Sequence, residues 1–152
     1  MKILGALLLV SLCATARAQV AAYSTDQLLQ LAAQMREQAK NTKDAGTGIL
    51  EKRLDAHTIL AFRDKDGKGE QHQQFEDVFF VLQGTATLVT GGTIKNPATT
   101  APGEVRGESV QDGTRRKLQE GDVVHISANV PHQMLLDGGS SITYFVVKIP
   151  QK

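Results

Sequence analysis

The stretch "GEQHQQFEDVFFVLQG", residues 69–84, decides how the chain is read. It sets a histidine among acids and amides, runs into an apolar strand and reaches a glycine. Residues two apart on a strand point to the same face, so Glu70, His72 and Gln74 can line one side of a sheet. "DVFFVLQ" (residues 77–83) is apolar on both faces, as expected of a strand buried between two sheets. Gly84 ends that strand in this reading, and "TATLVT" (residues 85–90) follows as its hairpin partner. The polar half is then either a metal site or the polar mouth of a barrel.

The flanking sequence carries more short strands. "ILEKRLDAHTILAFR" (residues 49–63) holds two, and "DKDGKG" (residues 64–69) is a polar turn. "RRKLQEGDVVHIS" and "HQMLLDGGSSITYFVVKI" supply three or four others, with Asp137-Gly138-Gly139 as a hairpin turn. Many short strands joined by Gly-rich turns argue a sandwich or barrel. Residues 91–113 break the rhythm: 23 residues with five glycines and two prolines read as a long solvated excursion, a lid or a dimer contact. Upstream, "STDQLLQLAAQMREQAK" has Ser24 as N-cap and Gln27 three residues on, a capping box leading into an amphipathic helix.

The N-terminus reads as a secretory signal peptide. Lys2 is a short positive region, residues 3–12 an apolar run too short for a membrane span, and Ala16-Arg17-Ala18 a cleavage site. Removal of residues 1–18 after Ala18 leaves 134 of the 152 residues, divided into a linker and helix (residues 19–48) and one barrel domain (residues 49–152). The processed chain is expected to be secreted or periplasmic and without a membrane segment. It carries 15 basic against 16 acidic residues, so nucleic acid and anionic membranes are not expected partners. Cys13, the only cysteine, leaves with the leader, so any metal must be held by His, carboxylate or amide groups. No phosphate-binding glycine loop or nucleophile elbow is found.

Two segments together resemble the cupin superfamily of small jelly-roll barrels. The cupin first motif runs histidine, any residue, histidine, a few residues, glutamate, six residues, glycine. Here Asp77 stands six residues before Gly84, and only one of the two histidines is present. Either Glu70 and His72, or His72 and Gln74, occupy the histidine positions, with Glu76 as an alternative to Asp77. The second motif is fuller in "GDVVHISANVPHQM" (residues 121–134): Gly121-Asp122, a strand, a turn, and Pro131-His132. It departs at Ser127, where proline is usual, and at Asn129, where glycine is usual. Asn tolerates the left-handed backbone that such a turn needs.

The resemblance implies an all-β double-stranded jelly roll with one N-terminal helix, pairing as a homodimer. It also implies a divalent metal, Zn, Mn, Fe or Ni, held by His72, His132 and Asp77, with Glu76, Gln74 and Glu70 as alternatives. His125, Phe80 and Met134 are candidates for the surroundings of the metal or substrate, and His57 is a weaker one. Arg115 to Lys117 read as a solvated strand edge. Two functions fit: a metal-dependent oxygenase, isomerase or lyase on a small molecule, or a non-catalytic barrel holding a small ligand or metal.

Overall fold

The structure, a computed structural model, describes residues 22–40, 49–55 and 57–151. The signal peptide and its cleavage at Ala18 lie outside the described residues, as does the break at 41–48. One helix, α1 (Thr25–Ala39), precedes twelve strands. These are β1 (Ile49–Arg53), β2 (Thr58–Arg63), β3 (Gly69–His72), β4 (Phe75–Thr90), β5 (Thr93–Ile94), β6 (Ala98–Ala101), β7 (Glu104–Gly107), β8 (Val110–Gln111), β9 (Thr114–Gln119), β10 (Val123–Ile126), β11 (His132–Leu135) and β12 (Ile142–Pro150). Ten of them form one curled antiparallel sheet, and β5 and β8 pair separately.

β4 organises the sheet, and here the structure corrects the sequence reading. Gly84 does not end a strand, and residues 85–90 are not a hairpin partner. The chain runs on through Gly84 as one 16-residue strand. Its first half pairs with β10 and β12, its second half with β9 and β11. The register skips Leu82, since Thr143 faces Gln83 and Tyr144 faces Val81. That bulge reverses the inward parity. Asp77, Phe79 and Val81 therefore point to the same interior as Ala86 and Leu88. The outer side of residues 77–83 is not a second core but a surface half-covered by α1.

The interior is filled by Phe79, Val81, Leu88, Leu118, Ile126, Met134, Ile142, Tyr144 and Val146. Outside it, Leu28 and Ala32 of α1 pack on Leu60, Leu82 and Phe145. The capping box forms as its residues predict: Gln27 N donates to Ser24 Oγ at 3.2 Å, and Ser24 N donates to Gln27 Oε1 at 2.8 Å. Among the described residues no helix is long and apolar enough to cross a membrane.

Two other expectations change. The turn at Asp137 closes through Ser140 N to Asp137 O at 2.9 Å, yet β11 and β12 pair with different halves of β4 and not with each other. The excursion at 91–113 is ordered into β5, β6, β7 and β8, and β7 lies against β3. Arg115, Arg116 and Lys117 do form the exposed run of β9, whose one partner is β4. Asn129 takes φ 65°, the left-handed turn its side chain tolerates, and its N–H donates to His72 O at 2.8 Å.

Gly84 has φ 88°, and a Cβ there would lie 2.0 Å from Ser141 O. Gly121 shares that φ of 88° with open space around it. Gly121→Ala should cost about 1–2 kcal/mol, the left-handed penalty alone. Gly84→Ala should cost at least ~3 kcal/mol, because a backbone clash is added. Urea denaturation of the two variants checks this, and equal losses would mean that β4 does not need glycine at its crossing.

Candidate metal centre

The site is assembled by strand register. Glu70 and His72 are two apart on β3 and share its inward face. His132 on β11 stands opposite Glu70, while Arg106 and Glu104 on β7 stand opposite Glu70 and His72. From the other half of the barrel, Asp77 on β4 faces Lys148 on β12. Cross-strand partners point the same way, so these rows meet in the barrel mouth.

One ligand atom from each of Glu70, His72 and His132 lies within 4.8 Å of the others. Asp77 Oδ2 stands 3.4 Å from His72 Nε2 and 3.6 Å from His132 Nε2, and Glu70 Oε2 stands 3.7 Å from His72 Nε2. Both histidines and Asp77 are buried, at 3–4% exposure. Each imidazole is oriented by its other nitrogen: His72 Nδ1 is 2.6 Å from Glu104 Oε2, and His132 Nδ1 is 3.0 Å from Val130 O. Those contacts turn both Nε2 atoms toward the same point.

Cations compensate the acids. Lys148 Nζ is 2.8 Å from Asp77 Oδ1, an ion pair outside hydrogen-bond geometry, so Oδ1 keeps acceptor capacity. Arg106 Nη1 donates to Glu70 Oε2. Arg63 donates from Nε to the Tyr144 hydroxyl at 2.6 Å and from Nη2 to Glu51 Oε1 at 3.0 Å, and it lies 3.8 Å from Glu70 Oε1. The cavity these groups enclose is about 60 Å³, walled on its apolar side by Ile59, Phe79 and Val146.

Ionisation follows from this packing. Burial presses the His132 imidazole below its usual range against the attraction of Glu70 and Asp77, keeping it neutral and fit for ligation. For His72 burial also lowers the pKa, but the Asp77 hydrogen bond and the Asp77 and Glu104 charges outweigh burial and Lys148 and raise it. Burial alone would raise Asp77, yet the His72 hydrogen bond and the Lys148 ammonium hold it below the ordinary carboxylate range.

The donor set fits a divalent metal: two oriented imidazoles and a carboxylate, with a second carboxylate oxygen beside both Nε2 atoms. Of the sequence candidates, His72, His132, Asp77 and Glu70 come together. Glu70 faces inward and Gln74 is exposed, so the first-motif register pairs Glu70 with His72. Glu76 alternates outward from Asp77, where it binds His125 and Gln151 instead of a metal. His125 is therefore a surface group, and so is His57. Phe80 sits on the outer face against Phe145, at 39% exposure, and does not border the cavity. Met134 is buried in the core, apart from the cavity lining.

The sequence reading missed Arg63, Arg106, Lys148 and Glu104. Lys148 and Arg63 carried a signal, being in phase with Tyr144 and Val146 and with Ile59 and Ala61 on inward rows. Glu104 and Arg106 carried none, because their strand was read as loop.

No family model matches the chain, and no curated protein matches it in sequence. Solved structures do. TT1209 from Thermus thermophilus matches with a TM-score of 0.50 at 14% identity, over 70% of this chain and 88% of that one. The DMSP lyase DddQ from Ruegeria pomeroyi matches with a TM-score of 0.49 at 15% identity, over 70% of this chain and 49% of that one. HppE in its Fe(II) form matches with a TM-score of 0.45 at 14% identity, over 60% of this chain and 41% of that one. The chain thus spans less than half the length of the last two. With this strand order, a second motif complete but for Ser127 and Asn129, and a first motif keeping one of its two histidines, the fold is the cupin jelly roll.

Tyr144 gives the site a pH signature. Burial, working against the Arg63 charge and hydrogen bond, pushes its hydroxyl up to about 12. Unfolded tyrosine loses its proton near pH 10, so between pH 10 and about 12 the unfolded state deprotonates first and native stability falls as pH rises. The loss should total about 2–3 kcal/mol. Denaturation across that window should show it, and the same alkaline loss in Tyr144→Phe would rule Tyr144 out as its source.

Proposed function

We propose that the chain is an exported, divalent-metal-dependent cupin enzyme acting on a small molecule, by lyase, isomerase or oxygenase chemistry. One observation carries the reading: one ligand atom each from Glu70, His72 and His132 lies within 4.8 Å of the others, and each imidazole is oriented through its Nδ1. Zn, Mn, Fe and Ni all suit two imidazoles and one or two carboxylates. When bound, such an ion supplies Lewis-acid polarisation of the substrate or of a coordinated water. Glu70, His72 and His132 would hold it, and Asp77 would either add a ligand oxygen or take a proton from the substrate, its other oxygen steadied by Lys148. Ile59, Phe79 and Val146 limit water, and a cavity of about 60 Å³ restricts the reacting part to a few atoms.

The second reading, a non-catalytic binding barrel, rests on the ion pairs Arg106–Glu70 and Lys148–Asp77, which offset the acids' charge without a metal. Homodimer formation belongs to the proposal too. Phe80, Val123 and Ile149 supply exposed apolar area on one outer face for it.

Metal content by mass spectrometry, on protein purified without chelator or histidine tag, tests the reading. Near-stoichiometric metal is expected, with none in His132→Ala. Glu104→Gln should weaken binding roughly 10–100-fold by loosening His72. A folded protein that takes up no metal after soaking would move the assignment to the binding barrel. Export is tested separately: expressed with its leader in a secreting host, the chain should begin at Gln19 in the extracytoplasmic fraction. An intact Met1 terminus inside the cell would contradict it.

A further inference from the structure

We infer that the metal-loaded barrel takes a small carboxylate monoanion, gripped by Arg106 at the cavity mouth; this rests on the metal reading above. The first support is charge. Four carboxylates, those of Glu51, Glu70, Asp77 and Glu104, meet three permanent cations, Arg63, Arg106 and Lys148, around neutral imidazoles that serve as ligands. With both imidazoles neutral, as ligation requires, these groups sum to one negative charge before the metal's own charge is added. A dication reverses that and leaves one positive charge in excess, at a mouth where Glu51, Glu104 and Arg106 are part-exposed and an anion can reach it. A singly charged anion restores neutrality, whereas a neutral or dianionic ligand does not.

The second support is geometry. Arg63 is 7% exposed at its side chain and committed to Tyr144 and Glu51. Lys148 is 16% exposed and committed to Asp77. Arg106 differs: its side chain is 39% exposed, its contact with Glu104 Oε2 is long at 4.0 Å because that oxygen is held by His72 Nδ1, and its hydrogen-bonding partner Glu70 is one of the groups that would turn to the metal. Once Glu70 shares its charge with a dication, the guanidinium fork faces a gap of carboxylate shape and sign.

The third is position. Arg106 borders the inner cavity and also an outer pocket of about 320 Å³ formed with Lys68, Asn96, Ala98, Thr100 and Glu108. It therefore stands between the outer pocket and the candidate ion site. A carboxylate held there leaves a short chain directed at the metal along Ile59, Phe79 and Val146.

The test is calorimetric titration of zinc-loaded full chain with acetate and with neutral, isosteric acetamide, metal content being measured on the same samples. Acetate should bind loaded protein at least tenfold more tightly than acetamide, and more tightly than it binds metal-free protein. Arg106→Gln should lose at least tenfold in acetate affinity while retaining its zinc. Equal acetate affinity in Arg106→Gln at full zinc occupancy would overturn this inference and leave the metal reading standing. So would equal binding of acetate and acetamide. Failure of the wild-type chain to retain zinc would overturn both, and the metal measurement tells the two failures apart.

Discussion

The structure depends on one strand that cannot stop. β4 runs from Phe75 to Thr90 and supplies hydrogen-bonding partners to β9, β10, β11 and β12, so both halves of the barrel are built on a single backbone. Such a strand must bend to curl the sheet and must keep its apolar residues inside across the bend. The Leu82 bulge and the left-handed Gly84 satisfy both needs: one reverses parity, the other lets the chain pass Ser141 O without a side chain in the way. The candidate site depends on the same geometry. Asp77 lies on the first half of β4, and the strand paired to its second half, β11, brings His132 across to face it.

Charge balance dominates the site. Burying carboxylates beside imidazoles costs free energy unless cations or a metal compensate them. Here compensation is divided: Lys148 holds Asp77, Arg106 holds Glu70, and Arg63 links Glu51, Glu70 and Tyr144. Such pairs keep the ligands in position before a metal arrives. They would also temper the affinity for a metal, because Glu70 would share its charge between Arg106 and the ion.

Much of this was legible in the chain. The capping box, the two strands at 49–63 and the β9 edge follow from spacing and alternation, and the inward roles of His72 and His132 from the resemblance to the cupin motifs. What was not legible has physical causes. Gly84 read as a stop because glycine usually punctuates strands, and only the tertiary pairing with β12 shows that it is a crossing point. The register at Glu70 or Gln74 stayed open because both are two residues from His72; the bend after His72, where Gln73 N donates to Gly103 O at 2.8 Å, turns Gln74 out. Glu104 and Arg106 were hidden in a Gly- and Pro-rich stretch whose strands owe their pairing to β3, not to local propensity. Glu76 and Asp77 differ only in phase, and phase on a bulged strand is set by its partners.

Whether Glu70, His72 and His132 bind one ion inside the barrel is read from an anomalous difference map of crystals of the zinc-loaded full chain. One strong peak is expected, bounded by His72 Nε2 and His132 Nε2, with ligand distances of about 2.0–2.2 Å and a Glu70 or Asp77 oxygen completing the set. A peak held at surface groups such as His125 and Glu76, with the interior ion pairs intact, would contradict it.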